Sequence, residues 1–92
     1  MYVILTSKPG QFRTEAELKV VESYDYLFCG RKRAQFAIAE LNGEVKIRIV
    51  EESGAPVVNL VPSKFLPRFP TIEKARDEIS QLAGKGATLV RR

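Results

Sequence analysis

The sequence predicts an α+β domain: an antiparallel sheet of four to five strands, about residues 1–6, 18–28, 33–41, 44–51 and 87–91, with one C-terminal helix, about 72–83, packed on one face. Three observations carry this expectation. Asn42-Gly43 stands between two runs rich in branched and aromatic residues, and Asn-Gly is favoured in a two-residue type I′ turn, where both central residues need φ > 0. Leu18 to Phe28 alternates, with Leu18, Val20, Tyr24, Tyr26 and Phe28 on one parity and Lys19, Ser23 and Asp25 on the other. Ile72, Ala75, Ile79 and Leu82 recur at helical spacing between Thr71 and Gly84.

Met1 to Thr6 reads as a strand. Its consecutive Val3, Ile4 and Leu5 suit burial on both faces and a place inside the sheet. Pro9-Gly10 fits the central positions of a type II turn, and the polar stretch Gln11 to Glu17 reads as a loop. In the next strand a rival helix over Glu22 to Cys29 is outweighed by two Tyr and a Phe. A three-residue loop, Gly30-Arg31-Lys32, would pair Phe28 with Ala34, Tyr26 with Phe36 and Tyr24 with Ile38, leaving Glu22 opposite Glu40 as a like-charge pair.

If Asn42-Gly43 closes a hairpin, Phe36 faces Ile49. Phe36, Ile38, Val45, Ile47 and Ile49 then share a core face, and Gln35, Ala37, Ala39, Lys46 and Arg48 a wet one. Ser53-Gly54 turns the chain. Val57 to Val61, between Pro56 and Pro62, is at best an edge strand. Pro62 to Pro70 reads as an extended connector, and Thr71 as the N-cap of a helix whose apolar stripe lies on the Phe36 and Ile47 face. Gly84-Lys85-Gly86 releases the last strand.

Ninety-two residues, 45% hydrophobic and 28% charged, describe one small globular domain spanning 1–92. No apolar run approaches the roughly 20 residues of a membrane span, and the opening MYVILTS lacks a basic leader, so the expected location is the cytoplasm. One cysteine and no histidine leave no disulfide framework, no usual metal-ligand set and no usual general base. The expectation is therefore no catalytic residues, no metal and no cofactor.

By elimination, a non-enzymatic binding or accessory module acting through another protein is the first functional expectation. Phe65, Leu66 and Phe69 in the connector could anchor a partner, although closing the core is the preferred reading, since a domain this small needs every large apolar side chain it has. Ala37 and Ala39, flanked by Asp25 and Arg48, form a shallow floor on the wet face that could seat a partner's strand, helix or anionic group. The alternative is a nucleic-acid interface built from Arg31, Lys32 and Arg33 in the hairpin loop with Lys46, Arg48, Arg91 and Arg92, which the net charge of +4 permits. Against it, Glu51-Glu52 would lie beside Arg33. Cys29 reads as a small, partly buried hydrophobe.

Overall fold

The computed structural model describes residues 1–54 and 57–92. Among them run β1 (Tyr2–Ser7), β2 (Phe12–Glu15), β3 (Val20–Phe28), β4 (Arg31–Glu40), β5 (Lys46–Glu51), β6 (Val58–Pro62), a single 3₁₀ turn (Ser63–Phe65), α1 (Ile72–Ala83) and β7 (Ala87–Arg91). The fold is α+β, with its helix at the C-terminal end as expected. The strands form two antiparallel sheets, ordered β1-β4-β3-β7 and β2-β5-β6.

The helix follows its local signals. The Thr71 hydroxyl accepts from the Lys74 N–H at 3.1 Å, and Gly84 ends the helix at φ 71°. The turn Lys8-Pro9-Gly10-Gln11 is of type II, with Gly10 at φ 78° and the Gln11 N–H bonded to the Lys8 carbonyl at 3.0 Å. Beyond it, the stretch expected to be a loop contains β2. The Thr14 N–H donates to the Ser7 hydroxyl at 2.9 Å, and the Thr14 hydroxyl donates to the Thr6 carbonyl.

Asn42-Gly43 does not close a hairpin. Gly43 sits at φ 109°, but Asn42 is not among the positive-φ residues, so the type I′ turn is not formed. The consecutive positive-φ pair lies instead at Cys29 (φ 53°) and Gly30 (φ 73°), and it joins β3 to β4 through a two-residue turn rather than a three-residue loop. The reason is edge occupancy. β4 is paired on one side by β1 and on the other by β3, so no edge remains for β5. Phe36 pairs with Thr6 and Tyr24, whereas Ile49 pairs with Thr14 and Asn59 in the other sheet. The Leu41 N–H bonds to the Met1 carbonyl at 2.8 Å as the chain leaves the first sheet. β1 is an edge strand, not an interior one, yet two hydrogen bonds between Tyr2 and Phe69, both 2.8 Å, cap part of its outer edge.

The β3–β4 register places Tyr24 opposite Phe36 and Tyr26 opposite Ala34, two residues from the expected pairing. Because side chains alternate with period two, each tyrosine keeps its expected face. Two bulges interrupt the ladder. Val21 is the extra residue on β3, and Arg33 the extra residue on β4. The first brings Glu22 opposite Ile38, so the expected Glu22–Glu40 clash does not arise.

Both faces of the first sheet are covered, which makes two cores. On one, Ala34, Phe36 and Ile38 pack beneath Ala75 and Ile79 of α1, with Tyr24, Tyr26 and Leu89 around them. On the other, Val3, Leu5 and Ala39 pack with Leu41 and with Ile47 of the second sheet. α1 therefore covers Phe36 but not Ile47, and the face expected to be wet is a second core with Ala39 fully buried. Val3-Ile4-Leu5 reads naturally in this arrangement, since a strand between two cores needs apolar residues on both sides.

Candidate functional site

The most polarised group in the interior is Glu22, whose side chain is 4% exposed. The Val21 bulge turns it beneath α1. Its Oε1 accepts from the Tyr24 hydroxyl at 2.7 Å and from Arg76 Nε at 2.9 Å, its Oε2 accepts from Arg76 Nη2, and Arg91 Nη2 lies 3.5 Å away. The Arg76 hydrogen bonds, helped by that of Tyr24, hold the Glu22 carboxyl at about 2 against the opposing effect of burial. Burial, and the hydrogen bond to Glu22, raise the Tyr24 phenol. A carboxylate so acidic and so fully bonded is a poor proton acceptor near neutral pH. Its work is to tie α1 and β7 to β3.

The basic residues are dispersed, and six of the fifteen make ion pairs among the described residues. Lys32 lies 3.2 Å and Arg92 3.8 Å from Asp25, and Arg91 approaches Glu22. Arg31 pairs with Phe28 and Arg91 with Tyr24, which separates them by four positions along β3, about 13 Å. Lys46 and Arg48 stand on the second sheet, where Arg48 is opposite Glu15. Glu51 pairs with Phe12 and Glu52 approaches Arg13 at 3.5 Å, so the expected neutralisation of Arg33 by these carboxylates is absent. Of the seven cations considered for nucleic acid, Lys32 and Arg92 meet on Asp25, Arg31 to Arg33 are consecutive on β4, and Lys46 and Arg48 lie on the other sheet.

The residues expected to meet a partner also divide. Phe65 is 70% exposed, with Lys64 Nζ over its ring at 5.5 Å. Leu66 packs against the Ile47 core and Phe69 against the α1 core, so these two close the interior. Ala37 and Ala39 lie on β4 opposite Ser23 and Val20, Asp25 lies opposite Gln35 instead, and Arg48 is on β5 of the other sheet. Cys29 is exposed rather than partly buried, because it occupies the tip of the two-residue turn.

The outer edge of β6, like that of β7 in the first sheet, has no strand paired to it among the described residues. The Glu51 N–H bonds to the Val57 carbonyl at 2.9 Å, and the Ser63 N–H to the Val45 carbonyl at 2.8 Å. The peptide groups of residues 57, 59, 61 and 63 therefore face β5, and by alternation those of Val58 and Leu60 face outward. Two N–H and two C=O groups lie on an edge to which no strand is paired among the described residues. The side chains of Val58 and Leu60, 46% and 56% exposed, stand on the sheet's outer surface beside Arg48 and Lys46. Pro62 ends the strand without an amide to donate. Pro56, expected to bound its other end, lies outside the described residues.

Sequence reasoning placed an edge strand here but did not assign it a role. The available signal was two large apolar residues, Val58 and Leu60, on the parity that faces solvent in a strand already limited by proline. Among the described residues no helix is long and apolar enough to cross a membrane. A scan against protein-family models and searches of curated proteins and of solved structures found no match.

Proposed function

We propose that the chain is a non-enzymatic binding module that takes up an extended segment of another protein as an added strand along β6. The observation that carries this reading is the outward set of backbone donors and acceptors at Val58 and Leu60, flanked by their own exposed side chains. Strand addition draws affinity from such main-chain bonds and specificity from alternate side-chain contacts. Lys46, Arg48 and Lys64 near this edge favour a segment that alternates apolar and acidic residues. Phe65, immediately beyond the strand, supplies an aromatic anchor of the kind that dominates interface energetics. A cytoplasmic setting belongs to the same proposal and suits an exposed, unpaired Cys29.

Leu60→Pro tests the reading, because it deletes an outward N–H while leaving the β5 ladder intact, and proline is tolerated at such edge positions. Peptides selected from a random display library should be apolar and acidic by alternation. They should shift the Val58 and Leu60 amide resonances and lose at least about tenfold in affinity with Leu60→Pro. Selected peptides that bind the variant equally well would remove the edge from consideration. So would sedimentation showing that the chain pairs with itself through this edge, or tight binding of oligonucleotides in place of peptides.

A further inference from the structure

The bulge at Arg33 has a second effect, at the opposite end of the β3–β4 ladder from Glu22. In an unbroken strand Arg33 and Ala34 would point to opposite faces. With Arg33 as the extra residue opposite Tyr26, both side chains line one cleft on the α1 side of the sheet, between β4 and the end of the helix. This cleft has a volume of about 470 Å³, within the roughly 300–1,000 Å³ of small-ligand sites.

Its floor is apolar and rigid. Ala34 and Phe36 are buried, and Tyr26 meets Phe36 edge-to-face with ring centroids 6.2 Å apart. Leu82 continues the apolar stripe of α1 beyond the core and is left 55% exposed at the cleft's wall. The rim is cationic. Lys8, presented by the type II turn, joins Arg33, and neither makes an ion pair among the described residues, in contrast to Lys32, Arg76, Arg91 and Arg92. Among the described residues, no acidic side chain lines the cleft. The helix end contributes about half a negative charge at most, which two full positive charges outweigh.

We infer that this cleft binds a small amphipathic anion: a flat apolar body on Ala34, Phe36 and Leu82, with a carboxylate or phosphate group held by Arg33 and Lys8. The site is separate from the β6 edge, so it stands or falls independently of strand addition.

1-Naphthoate is the probe, titrated into isotopically labelled protein. It should shift the amides of Lys8, Arg33, Ala34 and Phe36 and leave Val58 and Leu60 unmoved. The neutral isostere naphthalene-1-methanol, and inorganic phosphate without an apolar body, should each bind at least about tenfold more weakly. Lys8→Gln with Arg33→Gln, both exposed positions, should lower naphthoate affinity at least about tenfold. The same charge removed elsewhere, Arg31→Gln with Lys46→Gln, should change it less than about twofold. The inference is overturned by naphthoate shifts centred outside the cleft, by equal binding of the neutral isostere or of phosphate alone, or by equal losses in the two double variants.

Discussion

Replacing Glu22 by Gln isolates the electrostatic part of the interior network. Both carboxylate oxygens accept from Arg76, and Oε1 also accepts from Tyr24. Whichever way the glutamine amide is turned, its NH₂ opposes one guanidinium N–H, so the substitution removes a charge and creates a donor–donor contact. The carboxyl is lowered from 4.5 to about 2, which at about 1.4 kcal/mol per pH unit sets an upper limit near 3 kcal/mol. Arg76 is 42% exposed and Arg91 62%, so solvent screening reduces the expected contribution to about 1–2 kcal/mol.

The folded-state value is the lower one. The stabilisation is therefore complete above the unfolded value of 4.5 and is lost as pH falls toward about 2, with roughly half gone by pH 3. Urea unfolding followed by circular dichroism, on the wild type and Glu22→Gln from pH 7 to pH 3, measures this. The two curves should differ by about 1–2 kcal/mol at pH 7 and converge below pH 4.5. A gap that stays constant across the titration, or its absence at pH 7, would show that Glu22 is not held as an ionised partner of Arg76.

Cys29→Asn should stabilise the fold by about 0.5–1 kcal/mol in the same urea assay, because Asn tolerates the left-handed conformation that Cys29 adopts at φ 53°. A variant no more stable than wild type would refute the turn assignment. Ser63→Ala should cost about 1–3 kcal/mol, since the fully buried Ser63 hydroxyl accepts the Val45 N–H at 2.9 Å and its loss strands that donor. A neutral outcome would mean that the Val45 amide finds another partner.

The elements legible in the sequence are those whose signals are local. Thr71 and Gly84 fix the helix ends, Pro9-Gly10 fixes its turn, and the alternation from Glu22 to Phe28 fixes the face of β3. Leu18 and Val20, expected on the Tyr24 face, lie instead on the Ala39 side, because the Val21 bulge breaks the alternation. The choice of partner for each strand is not local. Asn42-Gly43 permits a type I′ turn without compelling one, and burying Val3, Leu5 and Ala39 on one face with Ile4, Phe36 and Ile38 on the other outweighs it. β2 was illegible because FRTE carries a single apolar residue, and its place comes from pairing with β5 and from Thr14's bonds to Thr6 and Ser7. Of the candidate partner-binding residues, Phe65 is exposed, whereas Leu66 and Phe69 pack against the cores, as a domain this small requires.

The two bulges were invisible for a different reason: no residue type demands one. Their geometry explains why they occur together. Val21 adds a residue to β3 and Arg33 adds one to β4, so each undoes the register shift of the other. Between them, Glu22 to Tyr26 and Ala34 to Ile38 run one step out of phase with the flanking pairs. A single bulge would carry that shift through to the Cys29-Gly30 end, where Phe28 would no longer meet Arg31 across the two-residue turn. The compensated pair keeps both the turn and the aromatic face beneath α1. At its two limits it sets a charged residue on the α1 face, Glu22 against Arg76 at one end and Arg33 at the cleft with Tyr26 at the other. One irregularity in the ladder thus places the acid that anchors the helix, and its counterpart places a base that makes no ion pair among the described residues.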